Sequence, residues 1–439
     1  MRLLHRSEIF AIALPAIISN LTTPVLGLVD VAITGHIGNA VYIGAIAVGG
    51  TVFNMLYWLF NFLRMGSSGL TAQAYGADDR KRCNTVLFRA LIIGVAVGLL
   101  LLALSRPIAS LMLGFMDADG DTEALARNYF NICIWGAPAV MASYAIMGWF
   151  VGMQDSRSAM WVSIFINIVN IITSLVLVFG FGWKIEGVAT GTLTAQWAGV
   201  LFGAVIVIRR YRPALQPLRQ VLDGRELLSF FRINADIFLR TCCLVAVTLW
   251  FTHAGALQGP QILAANAVLL QLFILFSYFM DGFAYAGEAL AGKYAGASHV
   301  GRTMEQGGSL KSLIRELLLS GVICALLFST LYLLAGDAFL SLLTKDNGVV
   351  DTARRYLPWC IAVPLCSFLA FIWDGIFVGL THTRYMLAAM FSALIVFFTT
   401  YFSLRNYMGN DCLWLAFDAY LIMRGLVSYL LFHRRERSL

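Results

Sequence analysis

The run YFNICIWGAPAVMASYAIMGWFVG at residues 129–152 recurs, with substitutions, as YLPWCIAVPLCSFLAFIWDGIFVG at residues 356–379. Both copies begin with a tyrosine, have a cysteine four residues later and end in Phe-Val-Gly, at a near-constant offset of 227 residues. A weaker match between residues 36–77 and 253–297 extends the repeat. Because an internal duplication determines architecture more firmly than local propensity does, the chain is predicted to consist of two related halves.

The composition assigns both halves to a membrane. Of 439 residues, 59% are hydrophobic and 13% are charged, whereas an ordinary soluble domain has about 25% charged residues. Apolar runs of about twenty residues have the length of a helix that crosses the hydrocarbon core. Twelve such segments, numbered here spans 1 to 12, are found at residues 8–34, 42–70, 85–105, 125–153, 159–182, 187–208, 229–253, 262–290, 310–334, 353–380, 385–404 and 412–432. We therefore predict an all-α membrane protein with twelve transmembrane helices.

The repeated runs are spans 4 and 10, which are six spans apart. Because six is even, both copies cross the membrane in the same direction, as in transporters with two parallel halves around a central cavity. The predicted domains are an N-lobe of spans 1–6 (residues 1–208), a basic cytoplasmic linker (residues 209–228) and a C-lobe of spans 7–12 (residues 229–439).

The basic residues predict the orientation. With both termini inside, the inner loops and tails hold 19 basic residues, among them Arg302 and Arg437, and the outer loops hold seven. The positive-inside rule therefore places both termini in the cytoplasm. The first apolar segment follows a short basic start and has no A-x-A cleavage site, so we expect it to be a retained span.

Three spans of the first half carry polar residues at helical spacing. Polar groups that face lipid are costly, so these stripes are predicted to face protein or a hydrated pocket. The alternative is interhelical hydrogen bonding, worth about 0.6 kcal/mol per bond; the uncharged residues alone support both readings equally. The stripes are Asn20, Thr23, Gly27, Asp30 and Thr34 in span 1, Asn54, Tyr57, Asn61, Arg64 and Ser68 in span 2, and Ser163, Asn167, Asn170 and Ser174 in span 5.

The acid Asp30 in span 1 favours the hydrated pocket over interhelical hydrogen bonding as the explanation of these stripes. An acid at membrane depth costs about 2.5–3.5 kcal/mol on insertion scales and usually marks a functional site. Pro15 and Pro24 lie in the same span, where each removes a backbone hydrogen bond. A kinked helix that carries the key acid is predicted to act as a hinge, with a static kink as the alternative.

The second half has intramembrane charges of its own. Asp236 and Arg240, four residues apart in span 7, are predicted to neutralise each other. Asp281 in span 8 and Asp374 in span 10 are secondary candidates for cation binding or coupling, and an inter-helix salt bridge is equally supported.

No enzymatic motif is present. The chain lacks a phosphate-binding Gly-rich loop, a His-Glu-x-x-His motif and a Gly-x-Ser-x-Gly motif. The eight cysteines show no metal-ligand spacing. We therefore expect no enzyme activity, no bound metal or cofactor and no nucleic-acid partner; uphill transport would draw on a proton or sodium gradient. The 31 Phe, 16 Tyr, 10 Trp and 15 Met would suit a pocket for small amphiphilic or cationic molecules, in a monomer surrounded by lipid.

The order of the motifs resembles the MATE (multidrug and toxic compound extrusion) family. The likeness rests on Pro15 with Gly-Leu-Val-Asp at 27–30, Ala-Gln-Ala-Tyr-Gly-Ala at 72–77, Asn167 to Gly191, and Trp-Asp-Gly-Ile-Phe-Val-Gly at 373–379, which is similar to the family's DinF branch. It implies a bacterial inner-membrane antiporter with a V-shaped pair of six-helix lobes. It also implies proton coupling at Asp30, bending at Pro15 and a pocket role for Asn170. Some relatives have a second acid where this chain has Ser174, and this departure favours protons over sodium.

The resulting hypothesis is a proton-coupled multidrug antiporter that works by alternating access. Asp30 is the coupling acid, and the cavity is lined by Asn20, Tyr57, Asn61, Arg64, Asn167, Asn170 and Ser174. The alternatives are a sodium-coupled antiporter, a flippase for lipid-linked substrates and a non-transporting membrane scaffold.

Overall fold

The computed structural model describes residues 2–36, 40–115, 120–301 and 309–436. Over these ranges the chain is helical and has no strand, and twelve helical spans are long and apolar enough to cross a membrane. The predicted all-α fold with twelve spans is therefore confirmed. Arg302 and Arg437, which were counted for the topology, lie outside the described residues.

Eight of the spans are single helices, and spans 2, 4, 5 and 6 contain a break or a wider turn. The helices are Arg2–Gly35 (span 1), Ala40–Leu59 and Phe62–Gly76 (span 2), Arg80–Ala103 (span 3), Gly120–Cys133 and Ala137–Gly152 (span 4), Ser156–Leu175 (span 5), Ile185–Ile206 (span 6), Gly224–Ala256 (span 7), Pro260–His299 (span 8), Leu310–Leu343 (span 9), Asn347–Gly379 (span 10), Thr383–Met408 (span 11) and Asn410–Glu436 (span 12). Ser105–Phe115 and Leu218–Val221 form two short additional helices.

The interruptions have local causes. The 3-10 turn Ile134–Gly136 in span 4 precedes the helix that begins at Ala137, and Pro138 lies in the first turn of that helix, where its missing amide hydrogen leaves no helical bond unmade. Spans 5 and 6 end in π-helical turns, Val176–Gly180 and Val207–Tyr211. The second turn carries Arg209 and Arg210, whose charges are favourable at a helix C-terminus. Helix therefore occupies both ends of the predicted linker, and only residues 212–223 connect spans 6 and 7.

The chain forms two compact units. One is Leu14–Phe230; the other combines the segment up to Ala13 with the chain from Phe231 onward. Span 1 thus begins in the second unit, where Arg6 pairs with Glu316 at 2.9 Å and Lys293 pairs with Glu8 at 3.1 Å.

The connector is fixed to the first unit. Arg89 in span 3 is 2% exposed; its Nε donates to the Val221 carbonyl at 2.8 Å, and its guanidinium pairs with Glu226 at 3.3 Å.

The sequence repeat is also a packing repeat. A Cβ added at Gly148 would lie 2.2 Å from the Arg64 carbonyl oxygen, and one added at Gly375 would lie 2.2 Å from the Ala284 carbonyl oxygen. Spans 4 and 2 therefore touch through their backbones in the same way as spans 10 and 8. The turns that follow also agree, because Gln154 and Thr381 both have positive φ, 65° and 55°. Duplicated glycines thus produce duplicated helix contacts.

Candidate functional site

Asp30 is half-buried in span 1 with one orphaned oxygen. Its buried Oδ1 has no hydrogen-bond partner, and no described cation lies within ion-pair distance of its carboxylate. Thr34, one turn later, donates to the Asp30 backbone carbonyl at 2.7 Å and not to its side chain. Asp30 is thus poised to accept a proton or a cation.

Span 4 supplies two polar neighbours of Asp30. Tyr129 and Cys133 are 6% and 1% exposed, and both lie close enough to interact electrostatically with the Asp30 carboxylate. The Tyr129 hydroxyl also lies against Thr192 of span 6, and the Cys133 thiol donates to the Ala189 carbonyl at 3.6 Å. Span 4 therefore connects span 1 with span 6.

Spans 5 and 6 continue this polar group. The Asn170 amide donates to Thr192 Oγ1 at 3.2 Å, and Ser174 Oγ donates to Asn170 Oδ1 at 3.2 Å. Asn170 and Ser174 are 2% and 0% exposed. The spans approach closely because Gly191 faces Ser174: a Cβ at Gly191 would lie 2.2 Å from Ser174 Oγ.

We name this connected set the Asp30 cluster: Asp30, Tyr129, Cys133, Thr192, Asn170 and Ser174. Three predicted site residues, Asp30, Asn170 and Ser174, are brought together in it. Tyr129, Cys133 and Thr192 were not predicted as site residues. The recurrence of Tyr129 and Cys133 in the repeat was one available signal; for Thr192 the signal was Gln196, four residues later on the same span.

Tyr57 and Asn167 have unsatisfied polar atoms of their own. Tyr57 is 9% exposed and its hydroxyl has no hydrogen-bond partner. It lies near Cys133 and Tyr144, which places it beside the Asp30 cluster. Asn167 Nδ2 is likewise buried without a partner. Asn20 is half-buried ten residues before Asp30 on span 1.

Asn61 and Arg64 are paired at the break in span 2. Arg64 Nε donates to Asn61 Oδ1 at 3.2 Å, and Arg64 is 7% exposed. The Arg64 backbone packs on Gly148 of span 4. Arg64 forms no ion pair with Asp30, so it does not neutralise that acid.

The two predicted hinge prolines differ in their surroundings. Both lie inside the uninterrupted helix Arg2–Gly35, but Pro15 is buried and Pro24 is exposed. The boundary between the two compact units falls between Ala13 and Leu14, next to Pro15.

The charges of the second unit pair across helices. Asp374 of span 10 accepts from both Arg240 of span 7 and Arg424 of span 12. Asp236 accepts instead from Thr383 Oγ1 at 2.7 Å, so the predicted Asp236–Arg240 pair is wrong. The physical reason is that Asp374, 6% exposed, requires charged partners, and both guanidiniums reach it.

Asp281 interacts electrostatically with Arg424 as well. Asp281 and Asp374 thus both interact with Arg424. This arrangement corresponds to the inter-helix salt bridge that the sequence left open as the alternative to cation binding. Among the described residues no group of three His, Cys, Asp or Glu side chains could hold a metal ion.

Comparisons with known proteins agree with this architecture. The MatE family model matches residues 15–176 and 236–402. DNA damage-inducible protein F of Escherichia coli (strain K12) is 35% identical over 97% of this chain and 92% of its own length. Multidrug export protein MepA of Staphylococcus aureus (strain NCTC 8325 / PS 47) is 23% identical over 83% of this chain and 79% of its own.

Solved structures share the fold at lower identity. An outward-facing multidrug resistance MATE transporter of the MOP superfamily superimposes with a TM-score of 0.87 at 18% identity, covering 99% of this chain and 96% of that one. A MATE in a bent conformation gives a TM-score of 0.86 at 18% identity with the same coverage.

Proposed function

Because the chain belongs to the MatE family of membrane transporters and not to an enzyme family, we propose that it is a multidrug efflux antiporter that exchanges organic cations or other xenobiotics for protons. The observation that carries this proposal is the orphaned Asp30 carboxylate, beside a hydrogen-bonded chain through three neighbouring spans.

The coupling step takes place at Asp30. An ionised carboxylate in a low-dielectric site attracts a cationic substrate, whereas a protonated one does not. A proton that enters from outside neutralises Asp30 and removes the attraction, so the substrate leaves outward. Release of that proton to the cytoplasm restores the charge for the next substrate, as alternating access requires.

Several features favour a proton over a sodium ion. Hard metal cations are held by several oxygen ligands, usually including more than one carboxylate or carbonyl. The Asp30 cluster contains one carboxylate, that of Asp30 itself. The Ser174 hydroxyl already donates a hydrogen bond to Asn170 Oδ1.

Aromatic side chains next to the Asp30 cluster favour flat, lipophilic cations. Phe53 stacks on Phe130 with ring centroids 4.9 Å apart and contacts Tyr57 at 5.3 Å. Aromatic faces attract cations and bury apolar area. We further propose a monomer in the bacterial inner membrane, with both termini in the cytoplasm.

Proton release from energised inverted vesicles tests the function. Candidate cationic dyes are added to vesicles with wild-type protein or with Asp30→Asn, in proton and in sodium gradients, and internal pH is followed. Asp236→Asn is the matched control, because Thr383 can still donate to the remaining amide oxygen. We expect dye-triggered proton release in the wild type and the control and its loss in Asp30→Asn.

Undiminished release by Asp30→Asn would contradict the assignment of coupling to Asp30. Exchange that follows the sodium gradient alone would favour a sodium antiporter. No flux from folded wild-type protein with a broad compound panel would favour a flippase or a scaffold.

A further inference from the structure

A second intramembrane acid, Asp418 of span 12, has no charged partner. It is 5% exposed, and its buried Oδ1 accepts no hydrogen bond. Among the described residues no arginine, lysine or histidine lies within ion-pair distance of it. Asp374 in the same unit is equally buried but binds two arginines. Asp374 is therefore compensated by positive charge, whereas Asp418 is not.

The surroundings of Asp418 are apolar or only weakly polar. Cys360 and Cys366 face it from span 10, and the adjacent Phe417 packs against Phe251 of span 7. On its own helix, Tyr420 donates to Met390 Sδ of span 11 at 3.1 Å, so this hydroxyl is used elsewhere. Within the described residues, spans 7 and 11 give Asp418 neither an ion pair nor a hydrogen bond.

An ionised carboxylate in this position would be costly. Burial of an unpaired charge costs far more than burial of the neutral acid, and the group neutralises instead. Arg424 lies six residues further along span 12, about 9 Å at a rise of 1.5 Å per residue, and is bound to Asp374. Burial without a cation therefore favours the neutral acid over the carboxylate at Asp418.

A buried polar network lies at the start of span 12, on the same helix as Asp418. Asn410, Trp414 and Asp418 follow one another at four-residue spacing, on one face of the helix. The Asn410 and Asn266 amides donate to each other at 2.9 and 2.8 Å, and Trp414 Nε1 donates to Asn266 Oδ1 at 3.0 Å. The network ends at Trp414, one helical turn before Asp418, and forms no hydrogen bond with the acid.

A metal ion fits this site less well than a proton. Hard cations require several oxygen ligands, and the ionisable groups that face Asp418 from span 10 are thiols. No metal-holding group of His, Cys, Asp and Glu side chains occurs in the part of the chain that the structure describes.

We propose that Asp418 is a second proton-binding site, separate from Asp30. Loss of that proton leaves an uncompensated charge between spans 10 and 12, so the charge state of Asp418 alters the packing of the second unit. Proton binding by Asp418 does not depend on the proposed transport function. A contribution of Asp418 to proton coupling rests on that proposed function.

Infrared difference spectroscopy between acidic and alkaline pH tests this site on the purified protein, without any transport. The C=O band of a protonated carboxylic acid is followed in the wild type, Asp418→Asn and Asp30→Asn. Asp411→Asn is the matched control on the same helix, because Asp411 Oδ1 accepts from Trp359 Nε1 at 2.7 Å and an amide oxygen preserves that bond.

We expect a pH-dependent band that is lost in Asp418→Asn and retained in Asp30→Asn and Asp411→Asn. Difference spectra of Asp418→Asn that superimpose on those of the wild type would overturn the proposal. If Asp418→Asn does not fold, Asp418→Glu replaces it: a displaced band supports the site and an unchanged spectrum overturns it. A failed dye assay at Asp30 would leave these spectra unaffected, so the two proposals fail separately.

Discussion

At the residue scale, three intramembrane carboxylates differ mainly in their partners. Asp374 is compensated by Arg240 and Arg424, whereas Asp30 and Asp418 each keep a buried oxygen without a hydrogen bond. A compensated carboxylate stabilises the fold as a fixed charge, while an uncompensated one gains most from binding a proton. The presence or absence of a cationic partner therefore distinguishes structural acids from candidate coupling acids.

Asp374→Asn should destabilise the protein strongly. The substitution removes the carboxylate with which both Arg240 and Arg424 pair, and breaking a buried pair in this way costs about 3–5 kcal/mol. Thermal unfolding of the detergent-purified variant measures this. Asp337→Asn is the control: Asp337 pairs with Arg354, but their side chains are 64% and 53% exposed, and exposed pairs contribute little. Equal unfolding temperatures for Asp374→Asn and Asp337→Asn would contradict the assignment of Asp374 as a structural acid.

At the element scale, glycines and prolines in the spans determine how closely helices pack and where they can bend. Gly148 and Gly375 bring a neighbouring carbonyl to a distance that no side chain allows. Pro15 leaves one backbone carbonyl of span 1 without its helical donor. Span 1 passes from one compact unit into the other beside this proline.

Gly148→Ala and Gly375→Ala should each destabilise the protein by at least about 1–3 kcal/mol, the typical cost of overpacking. The added methyl group would lie 2.2 Å from a backbone oxygen in both cases, and a backbone cannot move aside as a flexible side chain can. Gly50→Ala in span 2 is the matched control, because nothing lies within 4 Å of its added Cβ. Folded yield and unfolding temperature provide the measurement; a tolerated Gly148→Ala would disprove the backbone contact.

Pro15→Ala should slow transport without lowering stability. The substitution restores an amide hydrogen and a helical hydrogen bond, which stiffens span 1 at the junction of the two units. Dye-driven proton flux and unfolding temperature are measured together. Pro24→Ala, at an exposed position in the same helix, should have the smaller effect on flux. Wild-type flux in Pro15→Ala would show that bending at this residue is not needed.

At the scale of the whole molecule, the duplication is expressed as two sets of six spans. Matching glycines make matching contacts between spans 2 and 4 and between spans 8 and 10, while the polar contents of the two sets have diverged. The first unit contains Asp30 with uncharged partners, and the second contains an ion cluster and Asp418. Shared architecture thus accommodates two different sets of buried acids.

The proposed orientation, with both termini in the cytoplasm, predicts which loops can be labelled from outside. In a variant without native cysteines, Lys345→Cys, between spans 9 and 10, should react with a membrane-impermeant maleimide in intact cells. Lys81→Cys, at the start of span 3, should react only after the cells are opened. Both lysines are exposed, so accessibility reports sidedness and not burial. The opposite pattern would reverse the assignment of the termini.

The sequence by itself determined the all-helical class, the twelve spans and the duplication, because hydrophobic length and repeat spacing are properties of a linear chain. Asp30 and the span 5 stripe, with Asn170 and Ser174, could also be identified, since one helical face is visible as a spacing of three and four residues.

Only the tertiary structure decided which helices meet. It joined Tyr129, Cys133 and Thr192 to Asp30 and Asn170, paired Arg240 with Asp374 in place of Asp236, and left Asp418 without a cation. Each of these outcomes depends on side chains from helices distant in sequence. Helical periodicity shows which residues share a face, but only packing determines what that face contacts.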